Sequence, residues 1–569
     1  MSAKDLTAFL AWAEENNIQW NKDAIEVREG KHGLGVYAKK NLESGFEAIQ
    51  VPKSVVLSAQ STAIANLIEE EDVEGYVGLT LAAMYEMSQG KESLWSAYLT
   101  LLNNRRPQMA SDLPEDAREL MKKSEVHGDI ETDLKDMRED YDTIVAPFIE
   151  KHPEVFTAGI KAKFFSYENF KIMTSLVSSR AMDVDDYHAS ALVPFADFIN
   201  HSSEPNSDYL THEDVCEICG ALSCEHLEDD EDDEGDEDDE DDEDAPELSE
   251  PKKHADSKKS GASGDDEDDD WEDDINDTCD IILDEDVKKG EEITRHYGPF
   301  PNKIFLSKYG FAEIDNNHDT VTIQIDMIKK AAEGIIGDAA IVEERVKWFL
   351  DTEDIFIGED DDDDIEEDGC CGGDHDHDHD HGHKHEKKAA AAEEAEEDDD
   401  DKESEGGEDD EEDFPRDIMY MMHDGSIDDR MLMLLNVLFM EKEQFAKVEA
   451  SVEVATEYFN DIFLRRALEE HLADDDEEEE DEEEKPELKP LDESGRKIRK
   501  TVLEAILQVI RLRADAFGVS DTTTAEEDLE TLKKSNLSGP LYYGAICVQG
   551  EKQILQEGLK TYSKFLAEL

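Results

Sequence analysis

At 569 residues the chain is long enough for two or more domains with full hydrophobic cores, yet 152 acidic against 56 basic residues give a formal charge of −96, more than one compact body holds without strong self-repulsion. That balance excludes direct nucleic-acid binding, which needs clustered Lys and Arg, and favours basic protein partners. The seven cysteines are too few and too clustered for a disulfide framework and point to a reducing compartment.

The opening MSAKDLTAFLAWAEENN carries acidic residues where a signal or transit peptide would be basic. No apolar run approaches the roughly 18 residues that cross a bilayer, so the expectation is a cytoplasmic and/or nuclear protein with no membrane partner. Leu6, Phe9, Leu10 and Ala13 predict an amphipathic helix over 4–17. Strand-like pieces follow at 25–27, 35–38 and 48–57, with Gly30, Gly33, Gly35 and Gly45 marking the turns. Gly33-Leu34-Gly35 reads either as a tight hairpin or as a backbone cradle that lets a cofactor come close.

Between 61 and 180 the pattern turns helical. Val73, Tyr76, Val77, Thr80, Leu81 and Met84 keep a 3.6-residue period, as do Phe164, Phe170, Met173, Thr174 and Val177. Arg180, at the end of this stretch, reads in isolation as an exposed helix-end cation. Residues 192–206, LVPFADFINHSSEPN, then run as an apolar strand that breaks at Asn200-His201-Ser202, with Pro205 and Asn206 enforcing a turn.

An acidic insertion over 212–277 begins with Cys216-Glu217-Ile218-Cys219-Gly220 and Cys224-Glu225-His226. A C-x2-C-G turn aims two thiolates at one ion, and Cys224 with His226 complete a tetrahedron for one closed structural zinc. The alternative is a set of free thiols in a loop. After it, Lys288-Lys289-Gly290 turns into residues 291–311, EEITRHYGPFPNKIFLSKYGF: an apolar alternation ending at Tyr297-Gly298, then a helix-like stretch to Tyr309-Gly310-Phe311. This segment and 192–206 read as two halves of one site.

Asn200-His201-Ser202 with Pro205-Asn206, then Gly290-Glu291-Glu292-Ile293 leading to Tyr297-Gly298, with Gly33 and Gly35 upstream, resembles the SET-domain methyltransferases. Asn302, Phe305 and Tyr309-Gly310-Phe311, the Ser179-Arg180 pair and a long helical C-terminus narrow the resemblance to the branch that includes the Rubisco large-subunit lysine methyltransferase and the actin-histidine methyltransferase. The resemblance implies an α+β chain. An N-terminal helix (1–24) leads into a SET-type β fold with a pseudoknot-like active site over 25–318, carrying the helical insertion 61–180. An all-α substrate-binding domain follows over 319–569, crossed by acidic linkers at 359–413 and 474–490 whose like charges keep them solvated and disordered.

It also implies an S-adenosylmethionine-dependent transfer of methyl groups to a lysine side chain of a protein, with a histidine as the alternative acceptor. From another class, the chain reads as a non-catalytic acidic adaptor for basic proteins. By resemblance Lys31, His32, Gly33, Leu34 and Gly35 meet the cofactor through their backbone, Arg180 pairs with its carboxylate, and Asn200 and His201 hydrogen-bond its adenine and methionine portions. Phe311 lines the adenine side and Tyr309 the amine channel. Asp197 contacts substrate or holds the Asn-His-Ser loop. Tyr297 is the catalytic choice, its phenol orienting the methyl and the attacking amine. Removing a proton from a lysine of pKa near 10.4 costs about 4 kcal/mol at pH 7.4; a nearby sulfonium and an apolar channel lower that cost, so no dedicated base is required. Arg295-His296 depart from the small or polar residues usual before that tyrosine. A monomer with a basic protein substrate is the expected assembly.

Two further tracts complete the chain. Cys370-Cys371 with the alternating histidines from His375 to His385 suit loose binding of Ni, Cu or Zn, or a linker that binds metal incidentally. A strand-like alternation at 319–325 gives way to helices predicted at 431–448, 451–472, 496–517, 525–534 and 551–569, the third with Val502, Leu503, Ile506, Leu507, Val509 and Ile510 on one face.

Overall fold

A computed structural model describes residues 3–31, 33–104, 106, 108–213, 215–221, 224, 226, 277–356, 416–473, 490–519 and 522–569. His32, the Cys370-Cys371 and histidine-rich tract, the linker 359–413 and nearly all of 474–490 lie outside them. The chain divides into two units. One comprises Met1–Pro114, Gly128–Pro299 and Ile304–Phe311; the other comprises Glu115–His127, Phe300–Lys303 and Ala312–Leu569. The second unit therefore begins seven residues before the expected boundary, at 312 against 319, and draws in two short stretches from upstream.

In the first unit, β-branched and small apolar residues alternate in short runs and build two four-stranded sheets. Strands β1 (Gln19–Trp20), β2 (Ile25–Gly30), β3 (Gly33–Ala38) and β4 (Glu47–Pro52) come first in the chain. A small ribbon, β5 (Ala181–Asp183) with β6 (Ser190–Leu192), precedes β7 (Asn200–His201) and β8 (Asp208–Leu210). Beyond the acidic insertion come β9 (Thr278–Ile282) and β10 (Glu292–Arg295). The sheets are ordered β1-β4-β9-β8 and β2-β3-β10-β7. Val36, Ala48, Ile49, Val51, Ile281 and Ile293 are fully buried and form their shared core with Phe9 of the opening helix, Ala3–Glu15.

The helical stretch expected over 61–180 is present. Its main pieces are Gly75–Gln89, Ser96–Asn103, and Val126–Asp140, which runs through a π-helical turn at Tyr141–Val145 into Ala146–Lys151. It ends with Tyr167–Ser178, where Ser166 accepts the Asn169 N–H as an N-cap.

The second unit is helical as expected, with one exception. β11 (Thr320–Gln324) finds an antiparallel partner in β12 (Ile418–Met422), a strand the sequence reading lacked. Two helices also lacking from that reading follow β11 directly, Ile325–Ile336 and Ala339–Leu350. The helix expected over 431–448 is two helices, Asp429–Phe439 and Lys442–Ala450, because Met440 and Glu441 both adopt extended ψ near 145°. The last helix starts at Pro540, eleven residues before its expected start at 551, with proline at its first position where no amide is needed. Among the described residues no helix is long and apolar enough to cross a membrane.

Candidate active site

β10 brings the two distant motifs together. Ile293 pairs antiparallel with Val36 of β3, while Thr294 and Arg295 pair parallel with Asn200 and His201 of β7. Asn206 extends this pairing with its side chain: its amide donates to Glu292 O at 3.0 Å and its oxygen accepts the Thr294 N–H at 3.0 Å. A side-chain amide thus stands in for a strand's peptide group and fixes where the chain turns after the Asn-His-Ser corner.

Beside this corner Gly33, at φ +101°, closes the β2–β3 hairpin. Lys31 lies exposed at that turn. The Asn200 amide donates to Leu34 O at 3.0 Å and to Glu292 Oε1 at 2.7 Å, leaving its oxygen and main chain as what it can present to a ligand. Glu292 Oε2 in turn accepts the Tyr37 hydroxyl at 2.7 Å. Burial, then this carboxylate, pushes the Tyr37 phenol up to about 12. Glu292 carried no role in the sequence reading; its only signal was strand parity opposite the core-facing Ile293.

Arg180 points inward. Its Nη1 donates to Asp197 O at 2.9 Å and lies 3.3 Å from Asp197 Oδ2, which also accepts the Tyr98 hydroxyl at 3.0 Å. The Asp197 side chain is fully buried (0 % exposed), so it braces the loop before Asn200 and presents no surface to a substrate. Tyr98, to which the sequence assigned no chemistry, belongs to this brace. Two residues earlier Phe195 sits at φ +84°, a conformation bulky residues rarely adopt, held by edge contacts with Trp20 at 5.0 Å and Phe9 at 5.9 Å.

The last group is an aromatic wall. Phe305–Tyr309 forms a π-helical turn, Gly310 at φ +81° ends it, and Phe311 N–H donates back to Phe305 O at 3.2 Å. This stacks Phe311 on Phe305 at 5.0 Å and sets His201 against Phe305, Phe311 and Tyr297 at 4.7, 5.5 and 5.2 Å. The Tyr309 ring lies 4.9 Å from Tyr297. Tyr297 N–H donates to His201 Nδ1 at 3.1 Å, so the neutral imidazole carries its proton on Nε2. The Tyr297 hydroxyl donates to Ile199 O at 3.0 Å, which places it at the Asn200-His201 corner. Burial raises the pKa of both Tyr297 and Tyr309, so at neutral pH they are phenols, not phenolates. The residues expected to line one site, Gly33 to Gly35, Arg180, Asn200, His201, Tyr297, Tyr309 and Phe311, all fall within the first unit.

The Cys216, Cys219, Cys224 and His226 ligand atoms lie within 4.8 Å of one another. Gly220, at φ +69°, returns the chain so that its N–H and that of Cys219 both reach Cys216 O, at 2.7 and 3.2 Å. Cys216 Sγ and Cys224 Sγ stand 3.5 and 3.6 Å from His226 Nδ1. Bond lengths near 2.3 Å to sulfur and 2.0 Å to nitrogen give a tetrahedral zinc site edges of about 3.5 Å, so this donor set fits that ion.

No protein-family model matches the chain. It is 27% identical over 380 residues to ribosomal lysine N-methyltransferase 3 of Saccharomyces cerevisiae, covering 61% of this chain and 68% of that protein. It is 24% identical over 345 residues to N-lysine methyltransferase SETD6 of Bos taurus, covering 58% and 62%. The Homo sapiens SETD6 is 24% identical, covering 53% of each chain. The SET domain of LSMT bound to lysine and AdoHcy superposes with a TM-score of 0.56 at 14% identity, over 100% of this chain and 92% of that one. Rubisco LSMT bound to AdoMet gives 0.54 at 14% identity, over 99% and 92%. The fold is therefore that of the SET-domain methyltransferases, as the motifs implied, and the homologues are lysine methyltransferases.

Proposed function

We propose that this chain transfers methyl groups from S-adenosylmethionine to a lysine side chain of a protein substrate. The observation that carries the reading is the Tyr297 hydroxyl, fixed on Ile199 O at the Asn200-His201 corner and backed by the Tyr309 and Phe311 rings. S-adenosylmethionine, when bound, supplies the methyl on a sulfonium. Lys31 and Gly33 to Gly35 of the hairpin meet the cofactor through their backbone, with Asn200, His201, Arg180 and Phe311 around it. Tyr309 lines the path of the amine. Tyr297 and the Ile199 carbonyl offer oxygens that align the acceptor, so that positioning does most of the catalysis.

The test is direct. Calorimetric titration is expected to show S-adenosylmethionine binding, and lysate incubated with labelled cofactor is expected to yield a modified lysine by mass spectrometry. Tyr297→Phe keeps the fold, since it deletes one hydrogen bond worth about 1 kcal/mol, but lowers kcat by about 10²-fold or more. No cofactor binding at millimolar concentration, or wild-type turnover in Tyr297→Phe, sinks the reading.

Cys216, Cys219, Cys224 and His226 hold one structural zinc, supported by the match of their spacing to a tetrahedron. One equivalent of zinc per chain, lost in Cys219→Ser together with several degrees of melting temperature, is the expected result. The charge of −96 suits a basic substrate segment, and a buried cysteine outside any disulfide, such as Cys279, suits the cytosol or nucleus.

A further inference from the structure

Arg295 ends β10, one residue from the Tyr297-Gly298 turn and in register with His201. Its guanidinium lies over the Tyr297 ring, 4.9 Å from the centroid, and 5.9 Å from that of Tyr209 on β8. The Nε is shut away from water without a hydrogen-bond partner, and no carboxylate pairs with the group among the described residues. Arg180, a second arginine of the site, is met by Asp197 at 3.3 Å. One arginine is thus neutralised by its surroundings and one is not.

The remaining charged and titratable groups around it are engaged elsewhere. Glu292 is held by Asn200 and Tyr37. Asp197 is held by Arg180 and Tyr98. Asp183 on β5 accepts the Ser190 hydroxyl. His201 accepts the Tyr297 N–H and His296 the Gly298 N–H. A guanidinium keeps its charge at every working pH.

We propose that Arg295 is a positioning residue for the methyl acceptor, presenting an uncompensated fixed cation that keeps a substrate lysine in its neutral, nucleophilic form as it reaches the Tyr297 hydroxyl. The inference rests on the lysine methyltransferase reading above and deepens it. A cation within several ångströms disfavours an ammonium, so the proton leaves to bulk water before the nitrogen–carbon bond forms. Arg295 is also the foremost charge pulling the Tyr297 and Tyr309 hydroxyls down against the burial that raises them, so its field reaches the atoms the amine must approach. At about 7 Å and an effective dielectric near 20, one charge moves an amine's pKa by about 1–2 units.

The experiment is the pH profile of kcat, which reports the ionisation of the bound acceptor, between pH 6 and 10, on the acceptor protein recovered by the labelling described above, for wild type, Arg295→Lys and Arg295→Gln. Arg295→Gln is expected to move the acid limb of the profile up by about one pH unit, with most of the lost rate returning near pH 10; Arg295→Lys keeps the limb within a few tenths of wild type. A loss in Arg295→Gln by one constant factor at every pH, or no loss, overturns the proposal while leaving methyl transfer intact. Absence of transfer to any lysine by the wild type overturns the underlying reading, and this one with it. Should Arg295→Gln fail to fold, Arg295→Met, which keeps an apolar stem over the two rings, carries the same expectation.

Discussion

At Gly35 an added methyl would fall inside van der Waals contact with Glu292 Oε1 and 3.0 Å from Asn200 Nδ2. Neither neighbour is free to swing away, since Asn200 holds Glu292 at 2.7 Å and Glu292 holds Tyr37 at 2.7 Å. Gly35→Ala is therefore expected to cost about 1–3 kcal/mol by overpacking and to weaken S-adenosylmethionine binding about tenfold, as read by thermal denaturation and calorimetric titration; unchanged affinity would remove the hairpin from the cofactor's surroundings. At this scale the site was legible where a residue type had few alternatives. A glycine pair beside a strand, a polar Asn-His break in an apolar run and a Tyr-Gly turn each need a special backbone, so they announce themselves. The loop-holding role of Asp197 was one of the two expected for it, but its pairing with Tyr98 was not legible, because the two face each other at 3.0 Å across 99 positions of sequence. Nor was the inward turn of the Asn200 amide, which depends on a carboxylate placed by another strand.

Among the elements, the β11–β12 ribbon was read only by half. Thr320–Gln324 alternates clearly, but Ile418–Met422 is a short methionine-rich run with no strand signal of its own, and its partner is about a hundred residues away in sequence. Its return turn contains Gly425, at φ +82°, which lies against the backbone of Gly558 in the last helix. Two glycines touching main chain to main chain leave no side chain that can yield. Gly425→Ala combines the strain of a left-handed alanine with a backbone clash, and a loss of about 3 kcal/mol or more is expected. Thermal unfolding checks it, and a shift of under a degree would mean the turn relaxes freely. Helices were misread in existence as well as in bounds, since Ile325–Ile336 and Ala339–Leu350 were missed outright. The break at Met440-Glu441 involves two good helix formers, so only packing dictates it, while Gly337 and the Asp338 cap separate the two helices the reading lacked.

On the scale of the whole C-terminal unit, contiguity in sequence gives way to a buried charge cluster that no spacing rule announces. Arg513 is fully buried and donates to Glu125 Oε1 at 2.8 Å and Glu551 Oε2 at 3.0 Å. Glu125 also takes Lys303 Nζ at 3.0 Å and the Thr322 hydroxyl at 2.6 Å, and Glu551 takes the Ser124 hydroxyl at 2.6 Å. These contacts explain why 115–127 and 300–303 belong to this unit. Burial, then repulsion from Glu125, raises Glu551 from 4.5 to about 8. Glu125 moves the other way: its burial is outweighed by Lys303 and Arg513, which hold it below the usual carboxylate range. The two carboxylates thus keep one proton between them near neutral pH. A raised folded pKa means Glu551 stabilises fully below its unfolded value of 4.5, and that contribution drains away as pH climbs to about 8. A lowered one means Glu125 stabilises above the ordinary carboxylate range and stops doing so as pH falls through its folded value. Between pH 6 and 8 the Glu551 effect governs, at up to about 1.4 kcal/mol per pH unit for one proton. The melting temperature is therefore expected to fall between pH 6 and 8 and to level off above it. In Glu551→Gln, which stays neutral at every pH and keeps an acceptor for Arg513, the slope should flatten, and the difference between the two chains should grow toward the alkaline side. Parallel melting curves for the two proteins across that range would show that the shared proton is not what links the cluster to stability.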